Sequence, residues 1–168
     1  MLPKRVYLSL GSNLGKREEN LQRALVALEH KQIQIVARSS VYETEPQNLS
    51  QQRWFLNLVI ECETRYFPMQ LLGIIQKIER ELGRERGAGK VRWGPRPIDI
   101  DVLLFGSVIV ETPQLTIPHP RMLERRFVLE PLLEIAPELR HPVNRESLRK
   151  FVGKVSGQKL RKVDQMIC

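Results

Sequence analysis

Cysteine and histidine are scarce in this chain, which has 2 cysteines and 3 histidines in 168 residues. Cys62 and Cys168 lie far apart without CxxC spacing, so the sequence predicts neither a zinc site nor a disulfide framework. No apolar run approaches the roughly 18 residues of a membrane span, and the N-terminus lacks the hydrophobic segment of a signal peptide. We therefore expect a cytoplasmic protein that does not bind membranes.

Two common signatures of nucleotide and RNA binding are also missing. The turn-forming segment 11–15 contains neither the Gly-Lys-Ser/Thr of a Walker A loop nor GxGxxG. Aromatic residues make up only 6% of the chain, and no segment pairs them as an RNP1 motif does. The net charge of +8 nevertheless implies an anionic partner, either a nucleotide or a nucleic acid.

The central part of the chain has acidic residues on an otherwise apolar segment. Residues 98–104 are apolar except for Asp99 and Asp101, which in a strand point to the same face about 7 Å apart. A buried carboxylate must be paired or bind a metal ion, and hard oxygen ligands suit magnesium, which usually also binds substrate phosphates. Arg92 and Arg96, just upstream, are of the residue type that binds phosphate bidentately. The motif therefore predicts metal-assisted handling of a polyphosphate. The alternative is that both aspartates only pair with these arginines.

The same motif resembles the signature of one enzyme family, the 6-hydroxymethyl-7,8-dihydropterin pyrophosphokinases of the folate pathway. The resemblance rests on Arg92-Trp93-Gly94-Pro95-Arg96-x-x-Asp99-x-Asp101 and on further pieces in the family's order: Leu10-Gly11-Ser12-Asn13, Tyr42-x-Thr44-x-Pro46, Phe55-Leu56-Asn57, Gln76-x-x-Glu79, Gly83-Arg84, Pro118-His119-Pro120-Arg121-Met122 and Arg125-x-Phe127. It implies transfer of the diphosphoryl group of ATP to the hydroxymethyl oxygen of 6-hydroxymethyl-7,8-dihydropterin, with release of AMP.

The resemblance also implies roles for individual residues. Two magnesium ions would be held by Asp99 and Asp101, and charge on the transferred group would be stabilised by Arg84 and Arg96. The pterin would be bound by Thr44, Pro46, Phe55, Asn57, Trp93 and Phe127. ATP would be bound by Gln76, Glu79, Arg86, Arg92, Arg96, Thr116, His119 and Arg125. The basic loop 83–92, with its glycines, would form a lid over the phosphates.

Plainer roles remain open for several of these residues from their sequence context alone. Asn57 could make a cross-strand hydrogen bond, and Phe127 could be an ordinary core residue. Gln76 and Glu79, on one helical face, could be a solvated stripe. A metal-dependent phosphohydrolase or nuclease could use the same aspartates, but it would need more carboxylates or histidines near the metal. A non-enzymatic, ferredoxin-like RNA-binding domain would need the missing paired aromatics.

Hydrophobic periodicity predicts an α/β (α+β) fold with a ferredoxin-like βαββαβ core. The pattern indicates strands at 6–10, 33–41, 54–64 and 98–104, helices at 17–30 and 68–82, a hairpin at 105–110, and short helices near 121–126, 128–134 and 146–152. We expect one pyrophosphokinase domain over residues 1–152 and a basic, mobile or loosely docked tail over 153–168. The partners would be ATP and the pterin, bound by a monomer that binds no nucleic acid.

Overall fold

A computed structural model describes residues 1–47, 51–84 and 94–163. The elements in chain order are β1 (Lys4–Ser12), α1 (Arg17–His30), β2 (Gln34–Arg38), β3 (Val41–Thr44), β4 (Phe55–Thr64), α2 (Pro68–Glu81), β5 (Asp99–Phe105), β6 (Val110–Glu111), β7 (Thr116–Ile117), a 3-10 helix (Met122–Glu124), α3 (Arg126–Ile135), a second 3-10 helix (Leu148–Val155) and β8 (Leu160–Val163). None of the helices among the described residues is long and apolar enough to cross a bilayer.

The main sheet is antiparallel and has the strand order β5-β1-β4-β3-β8, with β2 also paired to β4. β2 and β3 together fill the place of the single second strand that the sequence predicted. Ser39 lies between them and keeps this segment attached to β4, because its N–H donates to the Val59 carbonyl (2.9 Å) and its hydroxyl accepts from the Val59 N–H (3.0 Å). The ferredoxin-like prediction is therefore confirmed, with its second strand in two pieces.

Local sequence signals explain the two long helices. α1 has Glu18 and Glu19 in its first turn and His30 in its last, charges that suit the helix dipole. α2 begins at Pro68, a residue that fits the first helical position because its missing N–H would have no partner there. Gly83 follows α2 with φ +95°, a left-handed conformation that favours glycine and ends the helix.

The two faces of the sheet are covered differently. One face carries Leu8 on β1 and Leu58 on β4, and these pack in a continuous core with the apolar sides of α1 and α2. On the other face, Tyr7, Val59 and Leu103 pack against α3 and the second 3-10 helix. This second cluster covers only one end of its face, and the site described below occupies the other end.

The hairpin lies later in the chain than the sequence indicated. Val110 and Glu111 pair with β7, whereas Val108 and Ile109 form no strand, and Ile109 is 53% exposed. The chain turns away at Gly106, whose φ is +52° and whose N–H donates to the Arg5 carbonyl (2.7 Å). Because strand preference reflects packing of the side chain, two exposed β-branched residues are not enough to form a strand.

Residues 153–163, expected to be a mobile tail or a loosely docked extension, are packed on the domain. The boundary falls inside the second 3-10 helix, whose Val155 is buried in the core. β8 then adds an edge strand to the sheet by pairing with β3. Residues 164–168 lie outside the described part of the chain.

Candidate active site

The uncovered end of the sheet face has polar and small residues where its other end has apolar ones. Along β1, Ser9 and Gly11 follow Tyr7 at alternate positions and therefore lie on the same face. Gly11 lies between Asn57 of β4 and Asp99 of β5 in the strand register, and Ser9 is the partner of Asp101. The alternation of side chains along the strands thus places an amide and two carboxylates around the small residues of β1.

These residues form the floor of a cavity of about 350 Å³. Its volume is within the range of about 300–1,000 Å³ that is usual for small-molecule sites. The residues predicted from sequence that line it are Thr44, Phe55, Asn57, Arg84, Arg96, Asp99, Asp101, His119, Arg125 and Phe127. Pro46 is not among the lining residues, although Glu45 and Gln47 on either side of it are. Arg86, Arg92, Trp93 and most of the expected lid lie outside the described residues.

A second cavity of about 270 Å³ adjoins the first and is lined by the remaining predicted nucleotide residues that the structure describes. Gln76 and Glu79 of α2 and Thr116 of β7 line it. Asp101 and His119 line both cavities and therefore mark the place where the two meet. The described residues assigned to the pterin, apart from Pro46, line the first cavity, whereas those assigned to ATP are divided between the two adjoining cavities.

Asp99 and Asp101 lie among cationic side chains. Asp99 accepts a short hydrogen bond from Arg84, and its Oδ2 is 3.7 Å from the Nε of Arg96. The Oδ2 of Asp101 is 3.7 Å from Nη1 of Arg125 and 3.9 Å from Nε2 of His119. Burial and the neighbouring charge of Asp99 raise the pKa of Asp101 above its ordinary value despite Arg125. Asp99 thus pairs with Arg96 as the alternative expected, whereas Asp101 pairs with Arg125 instead and Arg92 lies outside the described residues. These ion pairs do not remove the repulsion between the two carboxylates.

Two arginines of the cavity have donors that no described residue satisfies. The Nε atoms of Arg96 and Arg125 are buried, and neither has a hydrogen-bond partner among the described residues. The guanidinium of Arg96 lies 5.6 Å from the ring centroid of Phe55, and that of Arg125 lies 5.4 Å from that of Phe127. Buried donors are normally satisfied, so these two arginines predict an anionic ligand in the cavity.

Glu79 holds Arg84 and β5 in place. It is 1% exposed, and its Oε1 accepts from Nη1 of Arg84 (2.8 Å) and from the N–H of Ile100 (2.9 Å). The turn at Gly83 makes this possible, because it lets the Arg84 N–H donate to the Glu79 carbonyl (2.9 Å). The alternative of a solvated stripe is wrong for Glu79. Burial opposes the charge of Arg84, but Asp99 and Glu79 outweigh it and raise the pKa of Arg84.

The ring of His119 is neutral at neutral pH. Burial, followed by the positive charge of Arg125, lowers the pKa of His119 to about 4. Its Nδ1 accepts from the N–H of Arg121 (3.1 Å), which places the proton of the neutral ring on Nε2. That N–H faces the junction of the two cavities on the side of Asp101. His119 can therefore donate one hydrogen bond to an anionic oxygen there without changing its charge.

The wall around Asn57 combines a buried amide with aromatic side chains. Asn57 is 4% exposed, and its Nδ2 donates to the Thr44 hydroxyl, so Thr44 is a buried partner of the amide. Its Oδ1 lies above Gly11, where a Cβ would come within 2.5 Å of this oxygen. Phe55 and Phe127 supply aromatic surfaces in the same cavity.

Asn13 supports the site in a way that its sequence did not reveal. The side chain is 1% exposed, and its Oδ1 accepts from the N–H of Arg96 (2.8 Å) while Nδ2 donates to Oε1 of Gln52 (2.8 Å). The Asn13 N–H also donates to the Arg96 carbonyl (3.1 Å). Its position after Gly11 and Ser12 predicted only a tight turn. The partners are distant in sequence, so local pattern could not identify them.

The comparisons with known proteins point in one direction. Residues 7–137 match the family model described as 7,8-dihydro-6-hydroxymethylpterin-pyrophosphokinase. The chain is similar to the 2-amino-4-hydroxy-6-hydroxymethyldihydropteridine pyrophosphokinase of Bacillus subtilis, at 48% identity over 79% of this chain and 78% of the relative. It is also similar to the Aquifex aeolicus protein of the same name, at 41% identity over 87% of this chain and 89% of that protein.

Longer relatives contain a similar segment. The Pneumocystis carinii folic acid synthesis protein fol1 is 41% identical over 94% of this chain but only 21% of its own length. Among solved structures, wild-type Plasmodium falciparum HPPK-DHPS with pteroate superposes with a TM-score of 0.72 at 17% identity, over 90% of this chain and 42% of that one. The chain therefore spans less than half of the structural neighbour, and this likeness bears on the fold alone.

Proposed function

We infer that this chain, which belongs to the 7,8-dihydro-6-hydroxymethylpterin-pyrophosphokinase family, transfers the diphosphoryl group of ATP to the hydroxymethyl group of 6-hydroxymethyl-7,8-dihydropterin. It is an ATP-dependent diphosphokinase of folate biosynthesis, and its products are the pterin diphosphate and AMP. The observation that carries this reading is the pair of cavities that meet at Asp101 and His119. A phosphate chain placed at that junction would connect a nucleotide on one side to a pterin on the other.

The first cavity is the proposed pterin site. Asn57 offers an acceptor and a second amide N–H to the amide-like edge of the ring. Phe55 and Phe127 provide faces on which the ring can stack. Thr44 fixes the orientation of Asn57 rather than adding apolar surface. Pro46 and Trp93 are further members of this site in our proposal.

The second cavity is the proposed site for the nucleoside part of ATP. Gln76 and Thr116 supply polar groups there, and Glu79 supports the wall that they share. His119 and Arg125 would bind phosphate oxygens at the junction, through Nε2–H and through the guanidinium respectively. Arg86 and Arg92 are proposed to bind ATP as well.

The carboxylates fit a divalent ion, and we propose that Asp99 and Asp101 hold two magnesium ions. Both side chains offer hard oxygen donors on one face, and burial together with the charge of Asp99 raises the pKa of Asp101, a shift that a bound cation would oppose. Within the described residues, no three His, Cys, Asp or Glu side chains form a metal-binding group. That suits magnesium, which usually takes one or two carboxylates together with substrate phosphates. When bound, magnesium would neutralise phosphate charge and make the attacking hydroxyl more acidic.

The remaining catalytic work falls to positioning and to cationic side chains. Arg84, held by Glu79, and Arg96, held through its backbone by Asn13, would stabilise the charge that develops on the transferred group and on the departing AMP. His119 stays neutral and so would orient an oxygen rather than transfer a proton. The walls of the two cavities would hold the hydroxymethyl oxygen in line with the β-phosphorus.

A single assay tests this function against the two other classes. The protein is incubated with ATP, magnesium and 6-hydroxymethyl-7,8-dihydropterin, and AMP and the pterin diphosphate are measured by chromatography. We expect equal amounts of both products, and no AMP when the pterin is omitted. Phosphate release without the pterin would favour a phosphohydrolase, and no turnover with tight RNA binding would favour a binding domain; either would refute the proposal.

We also propose that the enzyme acts as a monomer in the cytoplasm and binds neither nucleic acid nor membranes. Light scattering at working concentration tests the oligomeric state, and a dimer whose dissociation abolishes activity would contradict it.

A further inference from the structure

The side chain of Gln158 joins the backbone on both sides of Arg125. Its Nε2 donates to the carbonyl of Glu124 (2.7 Å), and its Oε1 accepts from the N–H of Arg126 (2.9 Å). Arg125, between these two residues, is only 8% exposed and reaches Asp101 with its guanidinium. One amide group therefore holds the short backbone segment from which a proposed phosphate-binding arginine extends.

The contact replaces a missing helix cap. α3 begins at Arg126, and Arg125 at its N-cap has an extended backbone, with φ −121° and ψ 113°, and makes no side-chain capping bond. The first N–H groups of a helix have no partner within the helix, and capping residues usually satisfy them locally. Here the cap comes from Gln158, and the carbonyl of Gln158 also accepts from the Arg126 side chain (2.8 Å).

Lys159, the residue after Gln158, connects the same segment to Glu45 on the opposite wall of the first cavity. The N–H of Lys159 donates to Oε1 of Glu45 (2.9 Å), and the N–H of Glu45 donates to the Lys159 carbonyl (3.3 Å). Glu45 lines the first cavity and follows Thr44, the partner of Asn57. Residues 158 and 159 thus connect the segment that carries Arg125 with the strand end beside the proposed pterin site.

We propose that Gln158 is a positioning residue of this active site, which sets the direction of the Arg125 guanidinium at the cavity junction. It acts through the backbone of Arg125 and contacts no substrate itself. It lies beyond residues 7–137, the part of the chain that matches the family model. The role of Arg125 toward ATP is part of the proposed function, and the inference rests on it.

A double-mutant cycle separates positioning from a purely structural role. Gln158→Ala is made alone and together with Arg125→Ala, and kcat/KM and the Kd of a non-hydrolysable ATP analogue are measured where circular dichroism shows every variant folded. We expect Gln158→Ala to lower kcat/KM about tenfold and to weaken analogue binding in the wild-type background, because misplaced groups lose rate steeply. In the Arg125→Ala background the same change should cost less than about twofold, since coupled residues are not additive.

Ser156→Ala is the matched control, because this residue lies in the same segment and its hydroxyl bonds only within it, to the Gly153 carbonyl (2.9 Å). It should leave kcat/KM and Kd unchanged. Equal losses from Gln158→Ala in both backgrounds, or none in either, would overturn the positioning role while the proposed function stands. A wild-type protein that makes no pterin diphosphate would overturn the proposed function instead. The binding cycle with the analogue would then decide on Gln158 alone.

Discussion

Adding one methyl group at Gly11 should damage the pterin side of the site without unfolding the protein. The residue lies in β1, between β4 and β5, and a Cβ built on it would be 2.5 Å from Oδ1 of Asn57 and 3.5 Å from Cδ1 of Phe55. The first distance is far inside van der Waals contact, so the Asn57 amide must move in a Gly11→Ala variant. Its hydrogen bond to Thr44 and its orientation toward the cavity would both be lost.

The expected loss follows from the cost of a broken buried hydrogen bond, which is about 1–3 kcal/mol. If this free energy is lost from binding, the affinity for the pterin decreases by about 5- to 150-fold. Calorimetric titration with the pterin in the presence of an ATP analogue measures it, and the affinity for the analogue alone should change much less. Gly73→Ala is the matched control, because no atom of the described residues lies within 4 Å of a Cβ built there. The change should stabilise α2 by about 0.5–1 kcal/mol.

The reasoning requires that Gly11→Ala acts through Asn57. In an Asn57→Ala background, Gly11→Ala should therefore have little further effect on pterin affinity. A folded Gly11→Ala protein that binds the pterin as well as wild type would refute the assignment of Asn57 to the pterin site. An equal loss of affinity for both substrates would instead indicate a general distortion of the sheet.

Three further changes test other parts of the site and fold. Phe127→Ala should weaken pterin binding more than binding of an ATP analogue, by about 1 kcal/mol or more from lost stacking, and equal losses in calorimetry would place Phe127 in the core instead. Asp101→Asn should abolish turnover. The raised pKa of Asp101 in the folded state means that the wild-type protein loses free energy of unfolding as pH rises above the pKa of the unfolded chain, whereas the variant does not. The stability of the variant relative to wild type should therefore rise with pH, and denaturation at several pH values checks the sign. Glu134→Ala should cost about 1 kcal/mol near neutral pH, since Glu134 accepts hydrogen bonds from Ser40 and Tyr42 but is solvent-exposed. Burial opposes the charge of Glu134, but those hydrogen bonds outweigh it and lower its pKa. The stability that Glu134 contributes should therefore disappear as pH falls through the lowered pKa. Urea titrations at acid pH in which wild type and variant still differ by the full amount would contradict this prediction.

The elements with a strong repeating pattern could be predicted from the sequence. α1 was predicted at residues 17–30 and is found there, because its apolar spacing and terminal charges agree. Along β4, Leu58 and Val59 lie on the opposite faces that their alternation indicated. The break between β2 and β3 and the strand β8 depend on which distant segments are available for pairing, and local pattern carries no such information.

The sequence predicted which residues form the candidate site better than it predicted the hydrogen bonds that hold them in place. The candidate site residues within the described parts of the chain lie around two adjoining cavities, with Pro46 beside the first; their individual roles stay predictions. Glu79, Asn13 and Gln158 hold catalytic candidates through hydrogen bonds across 5 to 83 positions of sequence. Such contacts between polar residues distant in sequence can be identified only from the three-dimensional fold.

The division of one sheet face between core and site makes the register of β1 unusually well determined. A slip of one residue would turn Leu8 and Leu10 out of their core and bring Ser9 and Gly11 into it. The same slip would remove the carboxylates of β5 from their small neighbours in the cavity floor. A misaligned sheet would therefore lose its packing and its chemistry in one step. A well-folded but inactive preparation should accordingly be traced to side chains or ligands rather than to slipped strands.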